Sequence, residues 1–201
     1  MTLNYVFWAA QTSEEVVRLT SLTGFDDDFE IDDGVAHAHD FPADAHFHMH
    51  VDWPTSTVLA DRLSNTSSLV VVSSKLKDFL ADKLDRHTEL LPVTVFDHKG
   101  KALKTPFYIV HPVGQVELLD FDACEVVDEV GPRIEEMAKF VTLEKPELDD
   151  RVLLRAEHLA RYVMIRRDLT RLIDKAGFTG NRWVEPEELT GREIPADLTD
   201  L

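Results

Sequence analysis

The 201-residue chain holds a single cysteine, Cys124, so no internal disulfide can staple it. No uninterrupted apolar stretch approaches the roughly 20 residues that a bilayer-crossing helix needs. The N-terminus lacks a basic segment followed by an apolar run. Together these absences lead us to expect a cytoplasmic protein. Basic residues are scarce at both ends. Met1 to Ala60 carries 11 acidic residues against Arg18 alone, and Glu185 to Leu201 carries 6 against Arg192. The middle is nearly neutral, while the whole chain stands at −17. Such a balance argues against a nucleic-acid or membrane partner and favours a basic protein or metal ions. Signatures of catalysis are also missing: no GxSxG, no P-loop, and no GxGxxG after a strand. Cys124 lies in DACEVV, an acidic setting unsuited to a thiolate nucleophile, and reads as a packing residue or an inert exposed one.

What the chain does have is a well-patterned centre, Ser68 to Pro112. Leu69 to Val72 is a short apolar, largely β-branched run of the kind a buried strand needs. The period then lengthens to 3.6, with Leu76, Phe79, Leu80 and Leu84 on one helix face and Ser73 or Ser74 available as its cap. Leu90 to Phe96 and Thr105 to Val110 read as a hairpin turned by Asp97-His98-Lys99-Gly100. Upstream, Asn4 to Ala9 reads as a strand and Thr12 to Leu22 as a short helix. Gly24 to Pro42 reads as an acidic loop, and Ala45 to Asp52 as a strand with Phe47, Met49 and Val51 inward. Downstream, Gln115 to Leu119 and Leu153 to Glu157 read as strands, while Pro132 to Leu143 fits strand or helix. Arg161 to Ile165 followed by Arg167 to Ala176 repeats the strand–helix order, with Leu169, Leu172, Ile173 and Ala176 inward and Gly177 just past the helix end. Two such units predict an α+β fold, a mixed sheet with two or three flanking helices. One domain would span 1–186, its first 67 residues acidic, with 187–201 an acidic tail.

Three groups of side chains could carry function. Alternation puts His46, His48 and His50 on one strand face, where two imidazoles could share a zinc ion with His37, His39, Asp40 or Asp44 nearby. A metal-dependent hydrolase is the corresponding reading. An alternating polar face is equally what any half-exposed strand shows, and no metal or other cofactor is expected. Arg161, Arg166, Arg167 and Arg171 form the one basic cluster, suited to a phosphate or, by preference, to pairing with the acidic ends. Asp26, Asp27, Asp28, Glu30, Asp32 and Asp33 are the densest carboxylates and the candidate partner-binding surface, the bland alternative being a solvated loop.

The stretches SLVVVSSKLKDFL, LLPVTVFDHKGKAL, PFYIVHPVGQVELLDFD and RYVMIRRDLTRLIDKAGFTGNRWVEP carry a resemblance. They are similar to a family of bacterial immunity proteins, first catalogued as a domain of unknown function and named after a Myxococcus locus. The matching positions are Val72, Ser73, Leu76, Phe79, Leu91, Pro92, Gly100, Tyr108, Pro112, Gly114, Leu119 and Asp120. Arg167, Leu169, Ile173, Gly177, Phe178, Gly180 and Trp183 follow at the C-terminal end. The likeness covers roughly Ser68 to Pro186. It departs from the family at Ile165-Arg166-Arg167, where a serine is usual, so the second helix must be capped by Asp168 or go uncapped. The resemblance implies a non-enzymatic protein that neutralises a cognate toxin by tight binding, and the charge balance adds that no nucleic acid or membrane is expected as a partner. An acidic immunity protein would suit a basic toxin such as a nuclease.

Overall fold

The computed structural model describes residues 3–26, 28–144, 146–148 and 150–194, with the side chains of Asp28 and Phe29 set aside. The strands, in chain order, are β1 (Tyr5–Ala10), β2 (Arg18–Leu19), β3 (His46–His48), β4 (Arg62–Asn65), β5 (Val71–Ser73), β6 (Thr88–Phe96) and β7 (Phe107–Pro112). They continue with β8 (Gln115–Val116), β9 (Glu125–Val130), β10 (Arg133–Lys139), β11 (Leu153–Ala156), β12 (Val163–Arg166), β13 (Asn181–Val184) and β14 (Arg192–Glu193). The helices are α1 (Asp28–Asp32), α2 (Ser74–Leu80) and α3 (Arg167–Lys175). Strands dominate and the sheets are mixed, a fold richer in β-structure than the expected sheet with flanking helices.

A six-stranded sheet runs β2-β4-β5-β7-β6-β3, and a five-stranded one runs β13-β1-β12-β11-β8. The apolar run explains itself at β5: Val70 and Val72 face one core, while Leu69 and Val71 face another. A strand covered on both faces needs no alternation. Between the two sheets lies a shared core of Val6, Trp8, Val70, Val72, Val110, Val163 and Ile165. Into it α2 inserts Leu76 and Leu80, and α3 inserts Leu169 and Ile173. The outer face of the six-stranded sheet is covered by residues of the N-terminal segment, including Val17, Leu19, Ile31 and Phe47. The outer face of the five-stranded sheet is covered by Ile134 and Met137 of β10, with Leu189 and Ile194.

The two strand–helix units share a layout. In the first, β4-β5-β7-β6 are antiparallel neighbours, with α2 between β5 and β6 in the chain. In the second, β11-β12-β1-β13 are antiparallel neighbours, with α3 between β12 and β13. The N-terminal strand β1 therefore occupies the place that β7 holds in the first unit. Aligned at their helix N-caps, Ser73 matches Arg166 and Leu76 matches Leu169, one residue away from a plain side-by-side alignment of the two sequences.

Several expectations are corrected. Thr12 to Leu22 forms no helix; it contributes β2, whose Arg18 and Leu19 pair with Ser64 and Asn65 of β4. The acidic stretch expected as a loop contains α1. Val51 is exposed, not inward, because the strand ends by His50 and the chain turns at 51–52. Leu172 of the nine-residue α3 also faces solvent, while its Ala176 lies beyond the helix. The segment taken as an acidic tail is packed through Ile194: Leu189 and Ile194 are buried, and Glu193 pairs with Glu136. Residues 195–201 lie outside the described residues.

Candidate partner-binding surface

The six nominated carboxylates divide. Asp26 and Glu30 are exposed, Asp27 lies outside the described residues, and nothing is assigned to the side chain of Asp28. Asp32 is different: its carboxylate is only 14% exposed, 4.0 Å from Arg133 Nη2, and together with Asp33 it acts electrostatically on Arg155. Arg155 is 1% exposed and donates to the carbonyls of Ala160 and Arg161. Burial lowers its pKa to about 10, with Asp32 and Asp33 opposing the shift. A buried guanidinium needs nearby negative charge, so Asp32 is structural and not an open contact surface. The segment is also clamped by backbone. Gly114 N–H donates to the Gly34 carbonyl at 2.7 Å, and Gln115 Nε2 donates to the Asp33 carbonyl. A Cβ on Gly34 would stand 2.8 Å from Gly114 N, a contact only glycine permits there.

Beside this clamp sits a buried pair of imidazoles that sequence inspection passes over. His37 (4% exposed) and His111 (0%) have ring centroids 6.2 Å apart. His37 receives Glu30 at 3.7 Å and Asp40 at 3.4 Å, and its backbone N–H donates to Glu89. His111 Nε2 is 2.7 Å from the Val35 carbonyl. Since a carbonyl only accepts, Nε2 carries the proton, and Nδ1 is a bare buried nitrogen with no hydrogen-bond partner. Burial and the nearby Arg155 push the His111 pKa down to about 4. The pair is legible only in three dimensions, because His37, Glu89, His111 and Arg155 lie on four separate segments.

The histidine strand is half-buried as its alternation predicts: Ala45, Phe47 and Met49 point inward. His46 is half-exposed and His48 exposed. The rings are engaged with aromatic neighbours. His48 stacks on Phe96 at 5.0 Å, and His46 meets both His48 and Phe96 edge-on at 5.2 Å. His46 Nδ1 lies 2.7 Å from the Asp44 carbonyl, and His50 Nδ1 accepts from Asp52 N–H. Among the described residues no three histidine, cysteine or acidic side chains converge in a way that could hold a metal ion.

Two members of the arginine cluster are paired. Arg166 makes a two-pronged contact with Asp168, at 2.7 and 3.0 Å, and Arg167 does the same with Glu185, the first residue of the acidic C-terminal stretch. Arg167 thus pairs with the acidic C-terminal stretch as expected, whereas Arg166 pairs within its own helix start. Asp168 also accepts from Leu169 N–H at the start of α3.

A second acidic surface, unnominated in the sequence, is the β9–β10 hairpin. Strand β9 is exposed at Glu125, Val127, Asp128, Glu129 and Val130. Among the described residues, none of its three carboxylates takes part in a hydrogen bond or ion pair. No model of a known protein family matches the chain, and no curated protein matches it significantly. No helix among the described residues is long and apolar enough to cross a membrane.

Proposed function

We propose that this chain is an immunity protein that binds and neutralises a cognate antibacterial toxin domain, one with a basic surface such as a nuclease, and performs no chemistry of its own. The observation that carries this reading is the partition of charge between inside and outside. Arg62, Arg151 and Arg155 are 3, 9 and 1% exposed, so three of the 21 basic residues are withdrawn from the surface. Arg166, Arg167, Lys77 and Lys83 are each neutralised by a neighbouring carboxylate. The carboxylates of Asp26, Glu125, Asp128 and Glu129 remain outside. With three guanidinium groups withdrawn and four cations held in ion pairs, the free charge left outside is predominantly negative, which favours fast capture of a basic protein.

Co-expression with the toxin-like product of the adjacent gene tests this directly. The expected result is rescue from killing and a co-purified complex. Failure of every neighbouring product to bind the purified protein, or turnover of a substrate by the protein alone, would remove the proposal.

A further inference from the structure

Strand β9 ends its three-stranded sheet. It pairs with β10 on one side, and among the described residues nothing pairs with the other. The remaining sheet ends are less open. Strands β2, β8 and β14 have two residues each. Around β3, backbone bridges run from His46 to Thr23 and from Met49 to Leu19. At β13, Asn181, Arg182 and Trp183 are half-buried and Val184 is buried. Six residues of β9 thus form the longest open edge, and it is apolar as well as acidic: Val127 is 56% exposed and Val130 64%.

An open edge invites another strand, and proteins guard such edges with charge and bulges. Here the register with β10 shifts three times, and the guarding charges are all of one sign. A second copy docked antiparallel about Val127 would set Glu125 opposite the Glu129 of the other copy at both ends of the pairing, which is repulsive. A strand bearing lysine or arginine would meet the same carboxylates favourably, and its apolar residues would cover Val127 and Val130. The guard thus excludes self-association while admitting one kind of visitor.

From this we infer that β9 is the docking edge of the protein, on which a lysine- or arginine-bearing extended segment of the toxin adds as a further strand. The inference rests on the toxin-binding reading for the identity of the occupant. Main-chain hydrogen bonds along β9 supply the attachment, and Glu125, Asp128 and Glu129 select a basic sequence.

Amide hydrogen exchange on the full chain tests it, first with an alternating lysine–valine hexapeptide and its glutamate–valine counterpart. The lysine peptide should slow exchange across residues 125–130 several-fold. The glutamate peptide should leave it unchanged, and the variant Glu125→Gln/Asp128→Asn/Glu129→Gln should lose the protection while keeping its thermal stability. Protection elsewhere, protection by both peptides, or none at all overturns the docking edge. The adjacent gene's toxin product is then used as the probe. Slowed exchange at 125–130 in that complex supports the inference. A complex that rescues cells yet leaves 125–130 unprotected overturns the inference while the immunity function stands. Peptide protection without any toxin binding overturns the toxin as occupant, and with it the functional reading.

Discussion

At His111 the protein keeps an imidazole where its charged form has little support. The groups facing it are the Val35 carbonyl, Glu89 on the adjoining strand β6, His37 on the N-terminal segment and Arg155 on β11. Its folded pKa of about 4 lies below the ordinary imidazole value of 6.5, so the unfolded chain binds the proton more readily. Stability from this group is therefore complete above about pH 6.5 and is lost as pH falls toward 4, on the order of 3 kcal/mol across that window. Urea unfolding at steps between pH 7 and pH 4 should show the loss. His111→Gln, which can still donate to the Val35 carbonyl, should flatten it. An equal slope in the variant would mean that other groups carry the effect. Two glycines near the end of the chain make a second contrast. Gly177 has φ +78° and open space around its missing Cβ, whereas a Cβ on Gly180 (φ +81°) would stand 2.2 Å from the Arg62 carbonyl oxygen and 2.7 Å from Ala60 Cβ. Gly177→Ala should cost about 1 kcal/mol, as a left-handed alanine does. Gly180→Ala adds a clash with backbone and should cost at least about 3 kcal/mol by denaturant midpoint, or prevent folding.

Helix α2 is capped by Ser73, whose hydroxyl accepts from Leu76 N–H at 3.2 Å and donates to Asp61. Its counterpart at α3 is Arg166, which supplies no side-chain cap. Ser73→Ala should therefore cost about 1 kcal/mol. Arg166→Ala, which removes only a partly exposed ion pair, should cost about 0.5 kcal/mol or less; chemical denaturation of the two variants side by side gives the comparison. The elements that could be read from the sequence were those with their own periodicity: β1, the β5–α2 unit, the β6–β7 hairpin, and β12–α3. The illegible ones lacked it for identifiable reasons. In β10 the bulges around Glu136 set Ile134 and Met137 three residues apart and both inward, a spacing that imitates a helix. In β4 the buried residues include Arg62, Ser64 and Asn65, so a strand of the core is written in polar letters. Asn65 closes the following turn with two side-chain contacts to Leu69. In the N-terminal segment, β2 and α1 are two and five residues long and take their shape from the surfaces they cover, whereas β3 announces itself by its alternation. The candidate site was half legible for the same reason. The carboxylate run was visible, but the ion pair of Asp32 with Arg133 and its electrostatic support of the buried Arg155 were not, because both partners lie more than a hundred residues away.

Across the whole molecule, β1 joins early and late parts of the chain, since it lies between β12 and β13 in the five-stranded sheet. The five-stranded sheet cannot close before the last strand is made. The two sheets are further joined by long-range contacts: Asp61 accepts from Thr179, Asp85 accepts from Val152 N–H, and Arg151 donates to the Val113 carbonyl. A framework closed in this way moves little on binding, so its negative surface is presented ready-made. Preorganised charge acts chiefly on encounter: it raises the association rate, and salt screens it over about 10 Å at 0.1 M. If the proposed toxin partner is mixed rapidly with the protein, the association rate constant should fall by about tenfold or more between 20 mM and 500 mM salt, while dissociation changes far less. Neutralising Glu125, Asp128 and Glu129 should lower both the low-salt rate and its slope against ionic strength. A rate indifferent to salt would mean that the toxin approaches by an apolar surface, and the charge partition would then serve solubility alone.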